Sequence, residues 1–213
     1  MDVQELAPGL WRWTTPHPEW EEGAEWPRDV GCVYVETAAT VVLIDPLVPA
    51  DDPARATFLE HLDADVERNG KPVAILLTLP WHVRSSAELA ERHGAEVWAS
   101  RATAERADGV VTRPFEPAEI LPGGVIGIDA QREGETMYWL PEHRALVPGD
   151  SLLGDGEGGV RIPPDSWFDE VPPAEFKLAL RGLLDLPVER VLVTHGEPVL
   201  DGGLAALARA LAP

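Results

Sequence analysis

The run Val73-Ala74-Ile75-Leu76-Leu77 constrains the fold more than any other segment. It is continuous and apolar, with no alternation. A strand wetted on one face alternates apolar and polar side chains, so an unbroken run predicts a strand covered on both faces. Such a strand needs layers above and below it. Upstream, Phe58, Leu59, Leu62 and Val66 lie at helical spacing within residues 54–68, separated by acids and arginine. Downstream, Ser85-Ser86-Ala87-Glu88 reads as a capping box opening a short helix that Gly94 ends, and Glu96-Val97-Trp98-Ala99 reads as the next strand. Residues 4–13, 30–36 and 40–44 read as strands before the run. From about residue 109 to 147 the helical period is lost, and 125–130, 136–140 and 145–147 read as successive strands. Helix returns near 173–184, where Phe176, Leu180, Leu183 and Leu184 share a face. A last strand is expected at 188–193 and a helix at 204–211. This alternation predicts a layered α/β protein. No composition shift divides residues 1–213, so one domain is expected.

Composition removes several function classes. The chain has 213 residues, 45% of them hydrophobic and 25% charged, with a net charge of −20. That is enough chain for a full core. The acidity argues against nucleic acid, whose phosphates need clustered Lys and Arg, and against an anionic membrane surface. Cys32 is the single cysteine, which forbids an internal disulfide, and its alternating surroundings read as a strand with a small buried thiol. The first residues carry neither a basic nor an apolar leader segment, and no stretch has the length of a membrane span, so a cytoplasmic location is expected.

Ligands of open α/β sheets bind beyond the carboxyl ends of strands. Four expected strand ends carry ionisable residues: Asp45, His82, Asp150 and His195. Neutral imidazole and carboxylate are what zinc, iron or manganese require. Loop histidines and aspartates also serve as caps and hydrogen-bonded anchors, so both readings stand at this point. His61, His93 and His143 fall away from strand ends and read as structural. His93 lies near a helix C-terminus, where a charged imidazole meets the dipole favourably. His17 lies in a loop rich in Pro, Trp and Glu between residues 15 and 28, which is either a lid or a packed Ω-loop. Residues 154–159 are glycine-rich but lack a phosphate-loop pattern.

Leu43-Ile44-Asp45, Ile75-Leu76-Leu77-Thr78, the segment Ala87 through Ala99, the segment Tyr138 through Leu152 with its Gly149-Asp150-Ser151-Leu152, and Val191-Leu192-Val193-Thr194-His195-Gly196 follow one another in a recognisable order. In order and spacing the chain resembles the metallo-β-lactamase fold superfamily, which includes glyoxalase II, lactonases, other hydrolases and some nucleases. The resemblance implies a four-layer αββα sandwich with a site for two metals at the edge between two sheets. It also exposes departures. The family's T-H-x-H-x-D-H motif is replaced here by Thr78-Leu79-Pro80-Trp81-His82-Val83-Arg84. Aligned from the following helix, His82 falls on the motif's final histidine and Trp81 on its aspartate. The histidine of the family's G-H-T-P-G turn falls on Gln131, a poor zinc ligand. Asp150 matches the bridging carboxylate and His195 the last histidine.

One family metal site is thereby lost except for the shared aspartate. The other retains His82, Asp150 and His195, enough for one zinc or iron ion but not for a two-metal clamp. The resemblance implies a hydrolase-like protein with at most one metal, acting on a small ester, thioester or lactone, with His82 and Asp150 in the catalytic set. Asp45 would orient a ligand histidine from behind. Trp81, Gln131, Arg84, His17 and Trp139 would line a pocket for a small molecule, with Arg84 able to meet an anionic group. The alternative is a catalytically inactive, metal-free binding module. In that case Trp81 or Leu79 fills the vacated metal position.

Overall fold

The computed structural model describes residues 1–116, 118–132, 134–168 and 171–212. The first sheet has seven strands in linear order: β1 (Asp2–Ala7), β2 (Leu10–Pro16), β3 (Asp29–Glu36), β4 (Val41–Ile44), β5 (Val73–Leu76), β6 (Glu96–Ser100) and β7 (Arg113–Phe115). The first four pair antiparallel and β4 to β7 run parallel. Parallel neighbours need crossovers. These are α1 (Asp52–Asn69), α2 (Ser86–His93) and α3 (Arg101–Arg106). Helix α1 starts where the Asp51 carboxylate accepts the Ala54 N–H, and ends at Gly70 in the left-handed conformation.

Strands β8 (Ile126–Asp129), β9 (Thr136–Leu140) and β10 (Ala145–Val147) begin a second sheet. A short pair, β11 (Leu153–Gly154) and β12 (Val160–Arg161), follows, then α4 (Pro173–Ala179). Strand β13 (Arg190–Val191) pairs parallel with β10 to complete the order β13-β10-β9-β8, and α5 (Gly203–Ala210) closes the chain. Among the described residues no helix is long and apolar enough to cross a membrane.

Three apolar clusters order the layers. Phe58, Leu59 and Leu62 of α1 and Leu89 of α2 pack on Leu43, Ile75 and Val97 of the first sheet. Val33, Val42, Ile44 and Leu76 on its other face meet Tyr138, Leu140, Ala145 and Val147 of the second. Met137, Trp139 and Leu146 then face Phe176, Ala206 and Leu207 of α4 and α5. Strand side chains alternate in direction, so Leu43 and Ile44 serve different clusters, and both are fully buried. Val73–Leu77 is likewise buried along its whole length, as its apolar run requires.

Several local expectations are corrected. Residues 4–13 do not form one strand, because Pro8-Gly9, with Gly9 at φ 75°, turns the chain into the β1–β2 hairpin. Helix α3 was not anticipated; Ser100 caps it by accepting the Thr103 N–H. The helix expected near 173–184 is α-helical to Ala179 and 3-10 from Leu180 to Asp185. Only Arg190–Val191 of 188–193 forms a strand. The capping box at Ser85 does not form: Ser85 Oγ accepts the Val48 N–H at 2.9 Å, and Glu88 pairs with Arg55 on α1. Tertiary partners displace the local pairing.

Candidate metal centre

The ends of β4, β5, β10 and β13 meet at one edge of the sheets. Asp45 follows β4 in the left-handed conformation (φ 49°), one that Asp tolerates better than most residues. This turns its buried carboxylate across the end of the neighbouring β5. Oδ1 accepts the Thr78 N–H at 2.8 Å. Oδ2 accepts the Thr78 hydroxyl at 2.5 Å and lies 2.9 Å from His82 Nδ1. A carboxylate only accepts, so His82 Nδ1 carries a proton toward Asp45, and Nε2 is the ring nitrogen left to face away from Asp45.

That Nε2 atom lies 3.5 Å from Asp150 Oδ1, and His195 Nε2 lies 3.3 Å from the same oxygen. One donor atom from each of the three buried residues falls within 4.8 Å of the others. Asp150 Oδ1 is buried and has no hydrogen-bond partner among the described residues. Ligands at about 2.0–2.1 Å around a tetrahedral zinc ion stand about 3.3 Å apart, so the two separations at Oδ1 suit a shared cation. Burial works against the Asp150 anion, but His82, His195 and the Trp81 N–H outweigh it and hold the carboxyl well below the usual range. Burial lowers His195, against the pull of Asp150. An ionised Asp150 and a neutral His195 are the forms a metal ion requires.

Neither ligand loop is free to drift. Glu135 Oε1 accepts the Asp150 N–H at 2.7 Å. Arg132 pairs with Glu135 Oε2 at 3.2 Å and donates to the carbonyls of Asp150 and Trp167 at 3.4 and 3.3 Å. Burial pushes the Glu135 carboxyl up by more than Arg132 lowers it. At the other ligand, Arg12 Nη2 donates to the carbonyls of Val193 and Gly196 at 3.3 and 3.0 Å, bracketing His195. The Gly31 N–H meets Thr194 O at 2.7 Å, and a Cβ at Gly31 would stand 2.7 Å from Arg12 Nη2. Glycine is needed there for close approach.

A cleft of about 400 Å³ opens over these ligands. His17, Trp81 and Arg84 line it, as do Trp26, Arg132 and Trp167, which sequence reasoning had not singled out. Trp26 and Trp167 stand 5.1 and 6.1 Å from the His195 ring. The Ser166 hydroxyl donates to Glu25 at 2.6 Å, joining the two segments that carry these tryptophans. Trp81 Nε1 donates to Asp150 Oδ2 at 3.0 Å. It therefore engages the oxygen that does not face the histidines. Leu79 is fully buried.

Two expected pocket residues lie elsewhere. Trp139 belongs to the alternate set on β9 that faces α4 and α5, so it is core rather than lining. Gln131 adopts φ 60° in the turn after β8, where its N–H meets Asp129 Oδ1, and it lines a separate surface cavity with Arg101 and Glu105. His93 also departs from expectation: burial lowers its pKa, so the neutral form is favoured despite the helix end.

No family model and no curated protein matches this sequence. Solved structures do. The metallo-beta-lactamase IND-7 is 17% identical with a TM-score of 0.69, covering 99% of this chain and 97% of that one. VMB-1 is 14% identical with a TM-score of 0.70, over 99% and 94% of the two chains. A metallo-beta-lactamase family protein from Thermus thermophilus is 20% identical with a TM-score of 0.62, over 97% and 78%. The chain thus carries, over nearly its whole length, the metallo-β-lactamase fold.

Proposed function

We propose that the protein is a cytoplasmic hydrolase of small esters, thioesters or lactones that works with one zinc or iron ion held by His82, Asp150 and His195. The observation that carries this reading is Asp150 Oδ1, buried, without a hydrogen-bond partner among the described residues, and faced by two imidazole Nε2 atoms. A bound divalent ion supplies Lewis acidity toward a carbonyl oxygen and acidifies water. The protein's own residues do the rest. Asp45 fixes the His82 tautomer, and Trp81 fixes the Asp150 carboxylate so that Oδ1 alone faces the histidines. Trp26, Trp81 and Trp167 line the cleft and offer flat apolar surfaces to an acyl group.

A two-metal mechanism does not fit the donor set. Leu79 and Trp81 stand in the segment where the family keeps ligands, and Asp150 Oδ2 already accepts the Trp81 N–H. That same bond favours the second reading, a metal-free binding module in which indole and imidazoles together neutralise Asp150. Activity separates the two. Zinc- or iron-loaded protein should hydrolyse members of a panel of aryl esters, thioesters and lactones, and His195→Ala should lose that activity while staying folded. A loaded protein inert across the panel, or activity undiminished in His195→Ala, refutes the hydrolase.

A further inference from the structure

We infer that the trough between α1 and the α1 side of β1, β2 and β3 is a binding site for a small organic cation of the quaternary-ammonium or alkylamine class, separate from the metal cleft. Helix α1 packs on the middle of the first sheet but leaves its edge uncovered: the first four residues of β1, Asp2 to Glu5, are all exposed, so both faces of that strand are open. Phe58, Leu62 and Asp65, at i, i+4 and i+7 on α1, form one wall of the trough. Trp11 and Trp13 of β2 and Tyr34 of β3 form its floor. The cavity between them is about 290 Å³, room for a small ligand. None of its lining residues lines the cleft over His82, Asp150 and His195.

Four aromatic rings meet this space, and the polar ends of two are tied off. Trp13 Nε1 donates to Leu47 O at 2.9 Å, and the Tyr34 hydroxyl donates to Glu36 at 3.1 Å. The Trp13 and Phe58 rings lie 5.3 Å apart, tilted by 42°. What they offer a ligand is aromatic carbon, whose quadrupole attracts a cation. The charges agree. Asp65 stands on the rim with its side chain 51% exposed. Glu5 lies directly opposite Trp11 in the β1–β2 ladder, so the two side chains share a face. Among the described residues no Lys or Arg lines the trough. Arg68, beside it, is shared between two acids, Glu36 at 2.5 Å and Asp65 at 3.0 Å. The Tyr34 hydroxyl registers the balance: burial raises its pKa most, Glu36 and Asp65 raise it further, and Arg68 offsets less. Against these acids the Met1 amine supplies at most one charge. An anion would be repelled here, and a neutral ligand would leave the carboxylates unused. A cation with an apolar shell uses both the rings and the acids.

The test titrates the full chain with choline and with its uncharged carbon isostere, dimethylbutanol, while the indole N–H signals are followed by NMR. Salt at about 0.15 M screens the diffuse attraction of an acidic chain for any cation. A pH of about 8 keeps ordinary imidazoles neutral. Choline should saturate one site per chain and be preferred by about tenfold, the scale of a cation held by aromatic rings and a carboxylate. The Trp11 signal, identified by its loss in Trp11→Leu, should be among those that move. Trp11→Leu keeps an apolar side chain but removes a ring, and Asp65→Asn removes a charge; each should lower the preference by about threefold. Melting curves check that the variants fold, and Asp65→Asn, an exposed change, decides alone if Trp11→Leu does not. Equal affinity for the two probes, no saturable choline binding, or a preference undiminished in either folded variant overturns the inference. The outcome is independent of whether the cleft holds a metal.

Discussion

Replacing Asp45 separates its two tasks, holding the fold and preparing His82. In Asp45→Ala the Thr78 N–H, the Thr78 hydroxyl and the His82 Nδ1–H lose their acceptor inside a buried site; Thr78 Oγ, 3.0 Å from His82 Nδ1, can accept the ring proton, which leaves the Thr78 N–H and O–H unpaired. Two buried donors at about 1–3 kcal/mol each give a loss of about 2–6 kcal/mol. That is a large share of a typical stability of about 5–15 kcal/mol. Asp45→Asn behaves differently. Asn tolerates the left-handed backbone equally well, and its Oδ1 still accepts the Thr78 N–H. The amide NH2 then faces His82 Nδ1, which must accept, so the ring proton moves to Nε2 and the lone pair aimed at the ligand position disappears. Stability should fall by only about 1–2 kcal/mol, while zinc affinity falls at least about 10- to 100-fold, the usual scale for residues that orient a ligand. Urea unfolding of the chelated variants reads the first quantity, and competition with a chromophoric chelator reads the second. An Asp45→Ala loss below about 1 kcal/mol, or an Asp45→Asn protein with parental zinc affinity, would refute the reasoning.

Three further outcomes follow from the packing. Gly31→Ala forces a Cβ to 2.7 Å from Arg12 Nη2 and 2.8 Å from Val193 O, so it should destabilise by about 1–3 kcal/mol in chemical unfolding and weaken metal binding by shifting His195. Burial pushes the Cys32 thiol up to about 11, so at about pH 8 a disulfide reagent should label it no faster than the protein unfolds, as stopped-flow unfolding can establish. Burial holds His93 below its ordinary 6.5, so below that pH the unfolded chain binds more protons and stability falls as pH drops. His93→Gln should flatten that part of the stability–pH curve, and an unchanged slope would contradict the burial argument.

The sequence was most informative where chemistry and secondary structure coincide. Asp45, His82, Asp150 and His195 could be picked out because each is an ionisable residue following an apolar run, and a parallel arrangement gathers such ends. The residues that hold them could not. Arg12 reaches 181 positions along the chain to Val193, and Glu135 and Arg132 clamp the Asp150 loop from a turn with no motif of its own. Trp139 misled because β9 is buried on both faces, leaving no alternation from which to tell core from cleft. The Ser85 capping box misled for the opposite reason: the local pattern was complete, but Val48 and Arg55 offered its members better partners. Gly9 did signal the missed hairpin, since Pro-Gly between two apolar segments is a turn sequence.

A single metal ion on His82, Asp150 and His195 is the central claim. Its most direct test is the metal content of protein purified without chelator and then equilibrated with zinc or iron, compared with His195→Ala. One ion per chain is expected in the parent and almost none in the variant. No bound metal in the parent, even after addition of zinc, iron or manganese, would contradict the claim, and so would two ions per chain.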